Sequence, residues 1–135
     1  IFKLEEKKRK SKLERFQKIA CEAAEQSLRN IVPNILDIKK LKEIDFSSYN
    51  QKIVCYEESA KAKENQFFRK IIAELHPKDT IAIVIGPEGG LTSEEVEDLK
   101  TKGFIAVGLG PRILRTETVA SYVLSCISYE VELGK

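Results

Sequence analysis

Apolar residues recur at three- and four-residue steps in four stretches of the chain, a spacing that places them on one face of a helix. The predicted helices cover 4–29, 64–75, 93–102 and a last stretch that begins near 116. The last helix carries one apolar stripe, formed by Val119, Ala120, Val123, Leu124, Ile127 and Val131. We expect this stripe to face the core, although part of it could instead meet a partner subunit. A further helical turn is predicted at 39–44.

Three short runs have the composition of strands, either rich in β-branched and aromatic residues or apolar on both faces. They are 52–57, 80–85 and 104–109. The second run, TIAIVI, reads as a central parallel strand, because both of its faces are apolar. Strands that alternate with helices through short connections are typical of an α/β domain with a mainly parallel sheet and flanking helices. We therefore predict that fold class.

Two of the predicted strands end in glycine-rich bends, GPEGG at 86–90 and GLGPRILRTET at 108–118. Ligands of open α/β sheets bind beyond the carboxyl ends of the strands, so both bends would lie at one ligand-binding edge. The three glycines of the first bend predict positive φ angles or a close approach of the backbone to a ligand. The end of the first strand, near Tyr56 and Glu57, is a weaker third wall of the same site.

The first bend and the helix after it are acidic. Residues 86–99 contain no Lys or Arg, and their acids are Glu88, Glu94, Glu95, Glu97 and Asp98. No Lys-Ser/Thr pair follows the glycines, which excludes a Walker phosphate loop. Several acids at this end would repel a triphosphate, which favours a neutral or cationic ligand. Alternatively, Glu94 and Glu95 only complement the helix dipole. Thr92 and Glu95 also have capping-box spacing, and Gly103 stands where a left-handed cap would end the helix.

The second bend has the opposite charge. Arg112 and Arg115 stand three residues apart, beside glycines and before a helix start. Two guanidinium groups so placed can grip a carboxylate or a phosphate, or they can be ordinary surface salt-bridge partners. Together the bends predict a pocket that is lined by backbone groups and has arginines at its mouth.

Composition excludes several classes of protein. The 135 residues are enough for one domain, and no run approaches the ~18 apolar residues of a membrane span. No signal peptide opens the chain. Cys21, Cys55 and Cys126 are odd in number, far apart and within apolar runs, so we predict buried free thiols of a cytoplasmic protein rather than disulfides or a metal site. The chain begins with Ile1 rather than Met, and we expect it to be part of a longer protein.

The net charge is only +2, yet residues 1–18 hold eight basic residues against three acidic ones. Such a run attracts polyanions independently of their sequence. A solvated face or a linker would have the same composition.

The two bends together carry a resemblance to a known family. IGPEGGLTSEE followed by GLGPRILRTETVA resembles the closing motifs of the RsmE-type family, bacterial methyltransferases that modify N3 of a uracil in 16S ribosomal RNA. KLERFQKIACEAAEQSLRNIVP, at 12–33, is similar to the segment that leads into that family's catalytic domain. The similarity spans most of 12–131, and 34–80 contributes little to it.

The resemblance implies a fold of the SPOUT superfamily, in which the sheet ends in a deep trefoil knot that binds S-adenosylmethionine. It also implies a cytoplasmic homodimer that acts on the small ribosomal subunit. The family carries an N-terminal PUA-like RNA-binding domain. Residues 1–135 would then be the methyltransferase domain, and 1–11 a basic lead-in from the missing domain.

Carried over by position, the motifs also imply roles for single residues. The cofactor-binding residues would be Tyr56, Glu57, Ile85, Gly86, Pro87, Glu88, Gly89, Gly90, Gly108, Leu109, Gly110, Ile113 and Leu114. Arg115 would stabilise negative charge that develops on the uracil oxygens, and Arg112 would hold an RNA phosphate or the cofactor's carboxylate. Thr116 and Glu117 would order water or accept the proton. The RNA backbone would be held by Arg15, Lys18, Gln26 and Arg29.

Three alternative functions stay open from the sequence. The chain could be a ribosome-assembly module that binds RNA without catalysis. It could be a nucleotide-dependent α/β enzyme that uses GPEGG for phosphates, which the acidic balance disfavours. It could also be a SPOUT methyltransferase that modifies a ribose 2′-oxygen.

Overall fold

A computed structural model describes residues 5–62 and 64–134. The chain divides into two compact units, an N-terminal unit, Ile1–Ile44, and a C-terminal unit, Asp45–Lys135. Whether all 135 residues act as one domain stays a prediction.

The N-terminal unit is built on one long helix, α1, which spans Glu6–Gln26. The segment after it runs back along the helix. The side-chain amide of Gln17 donates to the carbonyl of Pro33 over 2.9 Å and accepts from the backbone N–H of Ile35 over 2.8 Å. Nearer the helix start, Arg9 pairs with Asp37 over 3.2 Å. The predicted helix at 4–29 is thus confirmed in its central part, while Leu4 lies outside the described residues. The turn predicted at 39–44 is a 3₁₀-helix, Leu41–Glu43.

The C-terminal unit contains a parallel sheet of three strands, β1 (Gln51–Cys55), β2 (Ile81–Ile85) and β3 (Ile105–Val107), in the order β2-β1-β3. Ile53 pairs with Ile83 on one side and with Ile105 on the other. The prediction that 80–85 is a central strand was wrong, because β1 holds that place. Apolar residues on both faces of a strand indicate that both faces are covered by other elements. They do not indicate whether the strand pairs with one neighbouring strand or with two. In β2, Ala82 is buried, and Ile81 and Ile83 pack against the core.

Four helices flank the sheet. They are α2 (Glu57–Lys61), α3 (Phe67–Ala73), α4 (Ser93–Thr101) and α5 (Thr116–Ser128), the last of which continues into a π-helical turn, Tyr129–Leu133. The mixed α/β class with a parallel sheet is confirmed. The first strand ends two residues earlier than predicted, because Glu57 already begins the short helix α2.

The core joins the middle of the sheet to α3 and α5. Its buried members are Ile53, Phe68, Ile71, Val107 and Val123. Two more residues of the predicted α5 stripe, Val119 and Ile127, pack against this cluster, whereas Leu124 is 60% exposed. The three cysteines are free, as predicted, but each is half-buried rather than buried. Among the described residues, no helix has both the length and the apolarity to cross a bilayer.

Candidate functional site

A cavity of about 850 Å³ opens at the carboxyl ends of all three strands. Its walls are the segments that follow β1, β2 and β3, at 55–61, 85–93 and 107–119. Every lining residue belongs to the C-terminal unit. The two glycine-rich bends therefore meet at one edge of the sheet, as their positions after parallel strands predict.

Most of the residues that the sequence singled out line this cavity. From the cofactor set these are Tyr56, Glu57, Ile85, Gly86, Pro87, Glu88, Gly89, Gly90, Leu109, Ile113 and Leu114. The four residues given catalytic roles, Arg112, Arg115, Thr116 and Glu117, line it as well. Gly108 and Gly110 are not lining residues. Of the residues predicted to hold RNA, Arg15, Lys18 and Gln26 lie on α1 and Arg29 follows it, all four exposed and in the N-terminal unit.

The first bend turns its backbone toward the cavity. The N–H of Gly90 donates to the carbonyl of Pro87 over 2.8 Å, and Gly90 has a φ of 78°, a conformation that disfavours other residues. A Cβ on Gly86 would lie 2.9 Å from Cγ of Leu91, so this glycine allows close packing inside the bend. Gly89 has neither constraint, since no described atom would lie within 4 Å of a Cβ placed there.

Most of the acidic residues after the first bend form hydrogen bonds or ion pairs within α4 and at its ends. The Thr92 hydroxyl accepts from the N–H of Glu95 over 3.1 Å, and the Glu95 carboxylate accepts from the N–H of Thr92 over 2.9 Å. The predicted capping box is confirmed, and Gly103 has the predicted left-handed φ, 90°. Glu97 and Asp98 pair with Lys100 and Lys102. Of the five acids in 86–99, only Glu88 lines the cavity. The first bend therefore brings less negative charge to the cavity than the sequence suggested.

Further charge at the cavity comes from α2, a helix that the sequence did not predict and from which it indicated only Glu57 as a site residue. Lys61 lies 3.1 Å from a carboxylate oxygen of Glu57 and 2.8 Å from one of Glu58. The hydrogen bonds to Glu58 and Glu57 raise the pKa of Lys61. Among the described residues, the wall carries four carboxylates and three cations, namely Glu57, Glu58, Glu88, Glu117, Lys61, Arg112 and Arg115. A five-residue helix is too short to show periodicity, so no pattern could have revealed Lys61.

The second bend presents two guanidinium groups to the cavity. Arg112 and Arg115 are exposed, and among residues 5–62 and 64–134 neither has a carboxylate within salt-bridge distance. The backbone of Arg115 is nevertheless fixed, because its carbonyl accepts from the N–H groups of Thr118 and Val119 over 2.9 and 3.1 Å. Arg115 is the N-cap of α5, where the helix dipole adds partial positive charge. This corner of the cavity suits an anionic group.

The remaining walls are apolar or inert. Ile85, Val107, Leu109, Ile113 and Leu114 supply aliphatic surface. Cys55 also lines the cavity, and burial raises the pKa of its thiol to about 11. This thiol is therefore protonated at neutral pH and is a poor nucleophile. Within the described part of the chain, no group of three or more His, Cys, Asp or Glu side chains is placed to hold a metal ion.

Comparison with known proteins identifies a family. Residues 1–128 match the family model of an RNA methyltransferase domain. The chain is 47% identical to the ribosomal RNA small subunit methyltransferase E of Bacillus subtilis, covering 98% of this chain and 53% of that protein. It is 38% identical to the protein of that name in Mesomycoplasma hyopneumoniae, covering 86% and 48%.

Solved structures agree with these relatives. A Legionella pneumophila protein, described as a methyltransferase in complex with the bound cofactor SAM, has a TM-score of 0.82 at 29% identity, covering 96% of this chain and 51% of that one. A ribosomal RNA small subunit methyltransferase E of Neisseria gonorrhoeae bound to S-adenosyl methionine has a TM-score of 0.67 at 33% identity, covering 91% and 48%. The chain thus spans about half the length of the proteins that it matches.

Proposed function

Because this chain belongs to the RNA methyltransferase domain family, we propose that it methylates ribosomal RNA with S-adenosylmethionine as the methyl donor. We propose N3 of a uracil in 16S RNA of the small ribosomal subunit as the target, as the RsmE-type motifs imply. The observation that carries the proposal is the cavity at the carboxyl ends of the strands, where two glycine-rich bends, an aliphatic wall and two arginines converge, neither arginine paired with a carboxylate of the described residues.

The cavity residues fit the proposed cofactor. A volume of about 850 Å³ is within the usual range for small-ligand sites. Leu109, Ile113 and Leu114 would bed the adenine, and the open backbone at Gly89 allows close contact. The mixed charges of the wall suit a ligand that carries both a carboxylate and cations, whereas a triphosphate would face four carboxylates. When bound, S-adenosylmethionine supplies a methyl group on a sulfonium, ready for transfer to a nucleophile.

The chain's own residues would then prepare the base. The N3–H of uracil must be lost before its nitrogen can accept a methyl group, and negative charge then spreads to the uracil oxygens. The fixed backbone of Arg115 and its exposed guanidinium at the cavity wall suit it to stabilise that charge. Arg112 would hold an RNA phosphate or the cofactor's carboxylate. Thr116 and Glu117, in the first turn of α5, are the candidates to order water or to accept the proton.

The target base would have to leave its stack to enter the cavity, as for other enzymes that modify bases. Arg15, Lys18, Gln26 and Arg29 would hold the RNA backbone. A cytoplasmic location follows from a ribosomal substrate.

We also propose that the C-terminal unit is knotted and that the chain forms a homodimer. Close approach of two segments that are distant in sequence supports the knot, since the buried Gly108 after β3 lies against Ala60 in the helix α2. Exposed apolar and aromatic side chains near the end of the chain support the dimer; they are Tyr122, Leu124 and Tyr129.

Cofactor binding and methyl transfer test the function separately. Calorimetric titration should show S-adenosylmethionine binding that ATP does not compete away. Incubation with small ribosomal subunits that lack the modification should yield 3-methyluridine, identified by mass spectrometry. No heat with the cofactor would favour a non-catalytic module, ATP competition a nucleotide enzyme, and a 2′-O-methylated product the ribose alternative.

Arg115→Ala is the sharpest variant for the mechanism. At saturating cofactor we expect single-turnover methylation to slow by about 10²–10³-fold, the typical loss when one donor to a developing oxyanion is removed. The cofactor dissociation constant should change little. Arg69→Ala, at an exposed position on α3, is the matched control and should leave the rate unchanged. A normal rate for Arg115→Ala would remove this residue from the mechanism.

A further inference from the structure

One carboxylate outside the cavity joins two segments of the C-terminal unit. Oε2 of Glu64 accepts from the N–H of Gly108 over 2.9 Å. Its Oε1 accepts from the N–H groups of Gln66 and Phe67 over 2.8 and 2.7 Å, at the start of α3. Glu64 is half-buried. Desolvation favours its neutral form, but the bonds from Gly108, Phe67 and Gln66 outweigh that effect and lower its pKa, so the carboxylate is charged at neutral pH.

The contact at Gly108 lies where the second bend begins. Gly108 follows β3 directly and is buried, and a Cβ added to it would lie 3.1 Å from the backbone nitrogen of Ala60. Its neighbour Leu109 lines the cavity. Among the residues that the structure describes, Gly108 is the one member of 108–114 whose backbone N–H has a protein partner. Beyond this hydrogen bond, the bend is held by the packing of Leu109 against the core cluster and by the start of α5.

We propose that Glu64 is a positioning residue, whose carboxylate fixes the start of the second bend and so holds Leu109 and the arginines beyond it in place to bind cofactor. The effect on cofactor rests on the proposed function, whereas the effect on the bend does not. Glu64 does not line the cavity and acts only through the backbone of Gly108.

The chemistry of the side chain makes this role sensitive to small changes. Each carboxylate oxygen serves a different segment, so both must accept hydrogen bonds. A glutamine has one acceptor oxygen and one amino group, and the amino group would face an N–H donor at one of the two ends. An aspartate keeps two acceptor oxygens on a shorter side chain.

Hydrogen exchange tests the bend directly. In Glu64→Ala, we expect the backbone amide of Gly108 to exchange roughly tenfold faster, the effect of losing about one charge-assisted hydrogen bond. Asp79→Ala is the matched control, because Asp79 also accepts a backbone N–H, that of His76 over 2.8 Å, in the turn that leads into β2 at the opposite edge of the sheet. It should leave exchange of the Gly108 amide unchanged.

Calorimetry with S-adenosylmethionine tests the consequence for binding. Glu64→Ala should weaken binding roughly tenfold, with Glu64→Gln close to it, whereas Asp79→Ala stays within about twofold of the parent. Glu64→Asp should recover part of the loss. The Gln and Asp variants give the same comparison if the alanine variant unfolds, which thermal melting would reveal.

The outcomes separate the inference from the proposed function. Unchanged exchange of the Gly108 amide in the Glu64 variants would overturn the inference whatever the cofactor does. Faster exchange with unchanged cofactor affinity would reduce Glu64 to a structural role and also overturn it. A parent chain that gives no heat with S-adenosylmethionine would refute the proposed function, while the exchange measurement would still decide whether Glu64 fixes the bend.

Discussion

The three glycines of the first bend have different structural roles. Gly90 has a positive φ, and Gly86 has no room for a side chain beside Leu91. Both roles follow from the backbone itself. Gly89 has an ordinary φ and open space around it, so neither strain nor packing demands a glycine there. We therefore propose that contact with a ligand is the reason for a glycine at this position.

Alanine substitutions should separate these roles. Gly90→Ala places a side chain at a φ of 78° and should lower the free energy of unfolding by about 1–2 kcal/mol. Gly89→Ala imposes no such strain and should leave stability within about 0.5 kcal/mol of the parent or slightly above it. Urea denaturation measures both. If Gly89 borders the cofactor, its added methyl group should nevertheless weaken S-adenosylmethionine binding in calorimetry. Unchanged affinity for Gly89→Ala would show that this glycine does not contact the ligand.

Residue types alone could not assign the charges of the site. The acids after the first bend were visible in the sequence, but only Glu88 among them faces the cavity. The carboxylates of Glu57 and Glu58 line it from α2, together with Lys61. The direction of a side chain depends on the helix that carries it, and a helix of five residues leaves no periodic trace.

Elements with strong local signals were predictable. The helix at 93–101 begins and ends where its caps predicted, because those signals act within a few residues of chain. The order of the strands was not predictable in the same way. β2 is the most apolar run, yet it lies at the edge of the sheet, and β1, with Gln51 and Lys52 at its start, is central. Strand order depends on contacts between distant segments, which local composition does not encode.

The capping box of α4 allows a test at this scale. Thr92→Ala removes the hydroxyl that accepts the N–H of Glu95 and should cost about 1 kcal/mol of unfolding free energy in urea. Thr101→Ala is the control, since its hydroxyl bonds only a carbonyl within the last turn, that of Asp98. The cap side chains do not line the cavity, so cofactor affinity should stay within about twofold. Equal stability of the two variants would show that the capping box contributes nothing measurable.

At the scale of the whole molecule, the pattern of residues and the resemblance to a family predicted different properties of the protein. Alternation of strands and helices predicted the α/β class, and glycines after two strands predicted where the cavity lies. The knot, the cofactor and the RNA target came only from the resemblance of two motifs to a family. Periodicity describes which face of an element is buried, and it contains no information about a knot, a cofactor or an RNA target.

The charge of the N-terminal unit gives the last prediction. Arg15, Lys18 and Gln26 lie within an arc of about 80° on α1, as 3.6 residues per turn requires, and all three are exposed. Lys18 is only loosely paired, 3.8 Å from Glu22. If this face binds RNA, Arg15→Glu with Lys18→Glu should weaken binding to a 16S RNA fragment. The slope of log K against log salt should also become shallower, by about one for each RNA phosphate that the protein no longer neutralises.

A charge reversal away from α1 is the control for the slope of log K against log salt. Lys78 lies in a turn of the C-terminal unit, and Lys78→Glu changes the net charge as much as one of the reversals on α1 does. It should lower the affinity for RNA only by weakening the overall electrostatic attraction between the protein and RNA. The α1 face would be merely solvated if, per reversed charge, Arg15→Glu with Lys18→Glu lowered the affinity for RNA no more than Lys78→Glu does. A local contact instead changes the number of counterions released, because each lysine or arginine on a phosphate displaces bound cations from the RNA. The salt slope, rather than affinity at one salt concentration, therefore decides whether α1 contacts RNA.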